Sequence, residues 1–420
     1  IFLNLHYKMA AAPEWLTHDY IERALSSYYK DSNLCVLKLE VNPALGPGEN
    51  YGGVLTRARV QFKLSQKPEE TLKQNLIVKT AIEDDELTKE LMEPYDIFNR
   101  EMTLYEEVLP KLTELLKETD AFEPLFPTAV FVDRERSAII FEDLSVANYV
   151  MADRVKRLDK EHVHLILRKL AKMHATSAVF NEHNSGQLES YDRGFFNRYT
   201  NAYSGYFVGG LLAAARWMSQ EPECAPYAQK LFELAPHYMD IGRECFAPVS
   251  DSVNVLAHGD VWTNNVMVKY DAATGRPEDI LLIDFQYSFW GSPTIDLHHF
   301  FNTSLREPLR REEQGDLFNF YHSIFTNTLR QLQYKAHPIP SLHEFQMQAE
   351  QKRFFAMHSA VVVQPVMISE DATDACFNAL MNDDERGIRF KNRLYTNPIV
   401  QQNLKALMPM FDRKGLLEVN

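Results

Sequence analysis

The hydrophobic pattern of this 420-residue chain changes its period once, near residue 145. Before that point, short segments rich in β-branched residues alternate in hydropathy, which predicts an antiparallel meander. These segments are 34–39, 54–64, 75–80, 128–133 and 137–141. Helical spacing appears at 13–25, with Thr17 as a candidate N-cap, and again at 87–116. The pattern therefore predicts a small, mainly β N-terminal lobe over residues 1–145.

After residue 148, apolar residues recur every three to four positions, which predicts a mainly helical C-terminal lobe over residues 146–420. The helical segments are 162–180, 205–218, 227–239, 314–334 and 342–357. One isolated β-hairpin interrupts them, with strands at 265–270 and 280–285. Because no long linker or repeat divides the chain, we expect an α+β fold of two lobes around one cleft.

The charge balance restricts the partners of the chain. It carries 44 Lys and Arg against 58 Asp and Glu, a formal net charge of −14. This sign opposes binding to a phosphate backbone, so we expect no nucleic-acid partner. A bound polyanion such as a nucleotide would have to be neutralised locally, by a metal ion or by a few placed cations.

The cysteines and the apolar segments bear on location. Cys35, Cys224, Cys245 and Cys376 are scattered without a C-x-x-C pair, which predicts buried, reduced thiols with no disulfide partner and a cytoplasmic protein. No run of eighteen apolar residues occurs, so we expect no membrane span. Residues 1–8 lack the pattern of a signal peptide, and Met9 is a candidate initiator that would leave them as a leader.

The most informative segment is 258–265, His-Gly-Asp-Val-Trp-Thr-Asn-Asn. Asp260 lies five residues before Asn265, which opens one strand of the hairpin, and Asp284 ends the other strand. Since a hairpin brings its open ends together, these three side chains should converge. Phosphoryl transfer needs such a set, with oxygen ligands for Mg²⁺ and one carboxylate near the attacking hydroxyl. The alternative is purely structural, with a turn, a polar strand opening and a cap.

The H-G-D-x-x-x-x-N pattern with Ile-Asp-Phe at 283–285 resembles the choline kinase and aminoglycoside phosphotransferase branch of the protein-kinase-like fold. Trp262 and Gln286 resemble more specifically the ecdysteroid kinase-like (CHK kinase-like) family of arthropods. The resemblance extends over most of the chain. Further matching segments are 48–51, 76–79, 98–105, 141–144, 170–175 and 291–297. It implies a protein-kinase-like two-lobed fold that binds ATP and Mg²⁺.

The resemblance also implies a role for individual residues. Asp260 would be the catalytic carboxylate that orients the acceptor hydroxyl, and Asn265 and Asp284 would bind the metal. Lys79, near the end of a predicted strand, would contact the α- and β-phosphates, with Glu101 as its ion-pair partner.

Alternatives remain for this lysine and this glutamate. A lysine near a strand end is usually only solvated, and Glu106 and Glu107 compete with Glu101 on the same predicted helix. Only the F-x-x-E-x-x-x-Y pattern at 98–105 selects Glu101.

Backbone groups would hold the rest of the nucleotide. The loop before the second strand does not fit G-x-G-x-x-G, but amides near Asn50, Gly52 and Gly53 would approach the phosphates because glycine lacks a Cβ. The family usually has a small residue and a serine at the two glycine positions, which leaves the phosphate-side hydrogen bonds open. Glu142 and Leu144 follow the last strand and would form the hinge that holds adenine.

Two polar residues near the motif are expected to be structural. His258 would steady the catalytic loop by hydrogen bonding, and Asp296 would brace it, as the P-x-x-D-L position does in the family. His298 and His299 are an alternative metal site, but no carboxylate completes a triad at ligand spacing.

The acceptor is less constrained than the donor. Aromatic and methionine side chains of the C-terminal lobe are candidates for an acceptor pocket, although most should belong to the core. They are Phe195, Phe196, Tyr199, Tyr203, Tyr206, Phe207, Trp217, Met218, Trp290 and Phe300. The family resemblance favours a small-molecule hydroxyl acceptor of the apolar, ecdysteroid type, as for an ecdysteroid 22-kinase. A choline-type or amino-alcohol kinase and a catalytically silent protein that binds an apolar ligand remain alternatives.

Overall fold

The computed structural model describes residues 13–44, 54–81, 93–370 and 377–419. Several predictions lie outside these ranges. They concern the leader 1–8, the loop residues Asn50, Gly52 and Gly53, the start of the helix predicted over 87–116, and Cys376.

A five-stranded antiparallel sheet forms the N-terminal part of the described chain. Its elements are α1 (His18–Tyr29), β1 (Cys35–Pro43), β2 (Val54–Lys63), β3 (Leu72–Thr80), β4 (Ala129–Asp133) and β5 (Ala138–Glu142), with the strands ordered β1-β2-β3-β5-β4. Alternate side chains of β2 are buried, which agrees with the period-two pattern. The side chain of Thr17 caps α1 by accepting from the Tyr20 amide at 3.3 Å, so the helix begins at His18 and not at residue 13.

One helical stretch lies between β3 and β4. It comprises α2 (Ile97–Thr103), a five-residue π-helical segment (Leu104–Val108) and α3 (Leu109–Leu116). Its buried residues belong to the same apolar cluster as Ile139 of β5 and Leu170 further along the chain. The stretch therefore packs against both the sheet and the helical part.

The part of the chain after residue 145 contains three short strands in one sheet and two in another. Strands β6 (Tyr149–Met151), β8 (Val266–Tyr270) and β9 (Pro277–Leu282) form the first, and β7 (Val255–Ala257) pairs with β10 (Phe289–Gly291) in the second. The prediction of an isolated hairpin is thus wrong, because three-residue strands are too short to show a period in the sequence. Asp284 lies two residues beyond β9 and does not end that strand.

Helices make up most of the remaining structure. They are α4 (Lys160–His183), α5 (Ser204–Met218), α6 (Ala225–Leu234), α7 (Tyr238–Phe246), α8 (Thr294–Ser304), α9 (Leu309–Glu312), α10 (Gln314–Gln331), α11 (Leu342–Gln351), α12 (Phe354–His358), α13 (Gln364–Met367), α14 (Phe377–Met381), α15 (Glu385–Leu394) and α16 (Pro398–Arg413). A second π-helical segment (Ser359–Val363) joins α12 to α13. The helix predicted over 227–239 is broken at Pro236, since proline cannot donate within a helix, and that predicted over 342–357 is broken after Gln351.

The cysteine prediction is partly wrong. Cys224 and Cys245 are buried free thiols, but Cys35 is exposed, because it begins β1 at the edge of the sheet. Among the helices in the described ranges, none has the length and hydropathy needed to cross a bilayer. Strand β5 ends at Glu142 and α4 begins at Lys160, and the lobe boundary at residue 145 stays a prediction.

Candidate active site

Lys79 lies where the five-stranded sheet meets the segment that follows β9. It is the penultimate residue of β3, the central strand, and its Nζ lies 2.8 Å from both carboxylate oxygens of Glu101. The same Nζ lies 3.1 Å from Oδ1 of Asp284. Both members of the Lys79–Glu101 pair are buried. Three segments far apart in the sequence therefore meet at one ammonium group.

The charges of this cluster depend on one another. Burial alone would lower the pKa of Lys79, but the carboxylates of Asp284 and Glu101 outweigh it and raise that pKa above its usual value. Burial raises the pKa of Glu101, which Lys79 opposes, and Gln286 donates a further hydrogen bond to this carboxylate. Lys79 therefore stays charged at neutral pH.

Helix α2 holds Glu101 in place through its neighbour Arg100. The Arg100 guanidinium donates to the backbone carbonyls of Arg193, at 3.0 Å, and of Ser288. The competing glutamates lie elsewhere, because Glu106 and Glu107 are exposed and Glu106 pairs with Arg134. The geometry thus pairs Lys79 with Glu101 rather than with either of them.

Gly259 gives the loop that carries Asp260 its tight turn. It has φ of +82°, and a Cβ there would lie 2.0 Å from the carbonyl oxygen of Tyr287. No other residue fits this position without moving the backbone. The buried carboxylate of Asp296 accepts from the amides of His258, at 2.6 Å, and Gly259, at 2.9 Å. These contacts are the bracing expected of Asp296.

His258 contacts backbone groups and not the carboxylate of Asp260. Its Nε2 lies 2.9 Å from the carbonyl oxygen of Ile283, and burial lowers its pKa. The Asp260 amide lies 3.4 Å from its Nδ1. His258 therefore links the turn to the segment that carries Asp284, as expected for a structural hydrogen-bonding residue.

Two side chains hold Asp260. Nδ2 of Asn265 donates to the Asp260 carbonyl oxygen at 2.8 Å and to its Oδ2 at 3.1 Å, and Nε2 of His299 lies 3.0 Å from Oδ1. The contact with Asn265 is the convergence that the hairpin predicts. The contact with His299 was not expected, because the two residues are 39 positions apart and no local sequence pattern connects them.

Asp284 has an unusual backbone. Its φ is +65°, in the left-handed region that residues other than glycine rarely adopt. Such conformations are concentrated at functional sites, where the surrounding structure imposes them. The amide of the preceding residue, Ile283, donates to the carbonyl of Asn265 at 3.0 Å, which keeps Asp284 beside Asn265.

A cavity of about 530 Å³ opens beside these residues. Six of the predicted site residues line it, namely Lys79, Glu101, Glu142, Leu144, Asn265 and Asp284. Asp260 lies next to Asn265 but outside the lining. Asn50, Gly52 and Gly53 lie outside the described residues, and the roles of all the predicted site residues stay predictions.

The cavity also contains residues that the sequence did not suggest. Arg57 of β2 donates through Nε to Oδ2 of Asp143 at 2.6 Å, beside the predicted hinge. Arg154 lines the opposite rim and donates to the carbonyl oxygens of Met367 and Ser369, at 2.8 Å to the latter. No local sequence pattern predicts either contact, because the partners lie 86 and more than 200 residues apart.

The residues present suit Mg²⁺ at this cavity. Asn265 and Asp284 offer oxygen atoms, and Mg²⁺ commonly takes one or two protein ligands with water and phosphate completing its shell. In the described part of the chain, no cluster of three or more His, Cys, Asp and Glu has metal-binding geometry. The alternative site at His298 and His299 gains no support, since His298 binds the carbonyl of Ala349 and His299 binds Asp260.

Aromatic side chains cover the other side of Asp260. The hydroxyls of Tyr203 and Tyr287 are hydrogen-bonded to each other, and Gly259 packs on the backbone of Tyr287. Trp262 packs in a small buried cluster with Val363 and Met367. Of the ten aromatic and methionine candidates, most are core residues as expected, and Tyr199 is exposed.

A buried Lys–Glu pair under a five-stranded sheet, facing an aspartate that follows a hairpin, defines the protein-kinase-like fold. A sequence model of the ecdysteroid kinase-like family matches residues 47–334. Since this match covers more than half of the chain, the protein belongs to the ecdysteroid kinase-like family. The family and the α+β fold class predicted from the sequence are thereby confirmed.

Comparisons with curated proteins and with solved structures give different results. The comparison with curated proteins finds no significant match. Similar solved structures include a Plasmodium vivax ethanolamine kinase, with 11% identity, 94% of this chain and 93% of that chain covered, and a TM-score of 0.38. A microcompartment-associated aminopropanol kinase has 14% identity, 95% and 99% coverage, and a TM-score of 0.35.

Proposed function

We propose that the protein is an ATP- and Mg²⁺-dependent kinase that transfers the γ-phosphoryl group to a hydroxyl of a small molecule. The observation that carries the proposal is the meeting of Lys79, Glu101 and Asp284 on the wall of the 530 Å³ cavity. This set matches the lysine, glutamate and metal-binding aspartate that phosphoryl transfer requires.

The donor side has the groups that an acidic protein needs to bind a triphosphate. Lys79, held charged by its neighbours, contacts the α- and β-phosphates, and Glu101 fixes its direction. Asn265 and Asp284 hold Mg²⁺, which supplies neutralisation of the phosphate charge when bound. The local cations offset the repulsion that a net charge of −14 imposes on the ligand.

The cavity also has apolar walls that suit a purine. Leu55 and Ile77 of the sheet and Met267 of β8 line it. Backbone groups of Glu142 and Leu144, which also line it, would hold the edge of the base.

Asp260 orients the acceptor hydroxyl and accepts its proton as the phosphoryl group is transferred. Two buried hydrogen-bond donors lie near Asp260. The indole N–H of Trp262 and the hydroxyl of Tyr206 have no hydrogen-bond partner within the residues that the structure describes. Unpaired buried donors are costly, and an acceptor whose oxygen atoms reached them would satisfy them. The apolar and aromatic residues packed around them suit an apolar alcohol of the ecdysteroid type.

The test is a search for a phosphorylated product. The protein is incubated with Mg-ATP and a panel of ecdysone, 20-hydroxyecdysone, cholesterol, ethanolamine and choline, and products are analysed by mass spectrometry. We expect an ecdysteroid phosphate, and Asp260→Ala should reduce its formation by about 10²–10⁴-fold, the usual contribution of a general base. Glu278→Gln, which neutralises an exposed carboxylate on β9 of the same hairpin, is the matched control.

The other outcomes separate the alternatives. Phosphorylation of ethanolamine or choline alone would support an amino-alcohol kinase and contradict the apolar acceptor. Steroid binding that is independent of nucleotide, with no product from any compound, would contradict the kinase and support a silent binding protein.

A further inference from the structure

His299 of α8 is buried beside the catalytic loop, and both of its ring nitrogens have side-chain partners. Its Nε2 lies 3.0 Å from Oδ1 of Asp260, and its Nδ1 lies 3.3 Å from Oγ of Ser359. Ser359 is also fully buried and begins the second π-helical segment. A chain of hydrogen bonds therefore runs from that segment to the candidate catalytic carboxylate.

The chemistry of the carboxylate sets the direction of the first bond. A carboxylate oxygen accepts, so Nε2 of His299 donates to Oδ1 of Asp260. A hydroxyl can donate or accept, and in the tautomer whose one proton is on Nε2 the Ser359 hydroxyl donates to Nδ1.

Packing prevents the ring from turning away. His299 stacks on Phe355 with the ring centroids 5.6 Å apart and an angle of 19° between the planes. Phe195 approaches the ring from another direction, at 6.1 Å. An imidazole held in one orientation fixes the position of the group that it binds, whereas a mobile imidazole does not.

The two donors divide the Asp260 carboxylate between them. His299 binds Oδ1 and Asn265 binds Oδ2, so rotation of the carboxylate would break one of the two bonds. The pair of donors therefore fixes the orientation of the group.

We infer that His299 is a positioning residue for Asp260 and that Ser359 selects the tautomer in which it acts. The π-helical segment Ser359–Val363 supplies both Ser359 and, four residues later, the Val363 that packs on Trp262. Segments of this kind are frequent at functional sites, because the extra residue re-aims the side chains. The inference rests on the proposed function for its catalytic consequence, but not for the hydrogen bonds themselves.

The first measurement needs no substrate. In protein labelled with ¹⁵N-histidine, we expect an exchange-protected imidazole signal with the proton on Nε2 that disappears in His299→Phe. The signal should shift in Asp260→Asn, which changes its acceptor, and the nitrogen shifts should show both tautomers in Ser359→Ala. If the Asp260→Asn variant leaves every buried imidazole signal unchanged, the proposed contact is wrong.

The second measurement is kinetic and uses whichever acceptor the wild-type protein phosphorylates. His299→Phe keeps the ring stack and should lower kcat about 10²-fold, the typical cost of a misplaced catalytic group, with little change in KM for ATP. His299→Gln restores an N–H donor and should recover part of this loss. His298→Phe is the matched control, because it replaces the adjacent buried histidine, which binds the Ala349 carbonyl instead of Asp260.

Each outcome decides the inference. A His299→Phe enzyme within about twofold of wild-type kcat would overturn it, and so would equal losses in His299→Gln and His298→Phe, which would indicate general disturbance of α8. If His299→Phe does not fold, the Gln and Ser359→Ala variants give the same comparison. A wild-type protein without product would overturn the proposed function only, and the imidazole signals would still decide the position of His299.

Discussion

The two aspartates of the candidate site have different surroundings. Asp284 lines the cavity, has a side chain 21% exposed, and contacts the ammonium of Lys79. The side chain of Asp260 is 5% exposed and is held by the amide of Asn265 and the imidazole of His299. Asp284 thus contacts a cation, whereas an amide and an imidazole orient Asp260. Under the proposed function, the first arrangement suits the binding of a metal and a triphosphate. The second suits a carboxylate that receives a proton, because a neighbouring ammonium lowers the basicity of a carboxylate.

The largest effect should come from the charged side. Asp284→Asn removes the charge of the proposed metal ligand and one of the two anions that face Lys79, so we expect kcat to fall by about 10³-fold, at the upper end for loss of one electrostatic contact. Initial rates over a range of Mg²⁺ concentrations measure this effect. An enzyme that keeps wild-type activity and Mg²⁺ dependence would show that the two aspartates do not differ in the way their contacts suggest.

A smaller effect is expected at the partner of Lys79. Glu101→Gln replaces a charged, bidentate hydrogen bond by a neutral one, and a loss of about 10–100-fold in kcat/KM for ATP should follow. Glu106→Gln is the matched control on the same helical stretch, since Glu106 is exposed and binds Arg134. Equal effects of the two substitutions would contradict the assignment of Glu101.

The smallest effect concerns the pH dependence of stability caused by His298, the buried neighbour of His299. Burial lowers the pKa of His298 to about 4. An unfolded histidine protonates below about pH 6.5 while His298 stays neutral in the folded protein, so stability is lost as pH falls from about 6.5 to about 4. By pH 5 this amounts to about 2 kcal/mol.

His298→Gln should therefore reduce the difference between the free energies of unfolding at pH 7 and pH 5. Chemical denaturation at the two pH values measures that difference. Burial lowers the pKa of His258 and His358 in the same direction, so part of the pH dependence should remain. Parallel pH profiles for the variant and the wild type would contradict the effect of His298.

Local patterns predicted some contacts of the candidate site and not others. Asp260 and Asn265 are five residues apart, and the turn and hairpin that join them follow from glycine and strand signals, so their contact was predictable. Lys79 and Glu101 needed the family pattern, because either could have been a solvated surface residue. Strand β6 and the β7–β10 pair were missed, since three residues cannot show a period.

Long-range contacts set the limit of the sequence-based interpretation. His299 meets Asp260 across 39 residues and Ser359 across 60, and no periodicity encodes either contact. Arg57 and Asp143 join the sheet to the predicted hinge across 86 residues. The exposure of Cys35 depends on β1 being an edge strand, which only the strand order reveals.

The packing of Trp262 against Val363 and Met367 bears on how the candidate site is encoded in the gene. Lys79, Asp260, Asn265 and Asp284 all lie within the family match at 47–334, but the segment 354–369, which supplies Val363, Met367 and the carbonyls that Arg154 binds, follows it. The residues that pack against Trp262 are therefore encoded outside the stretch that carries these four polar residues. Substitutions in that later stretch can change the packing around Trp262 while the four polar residues stay the same.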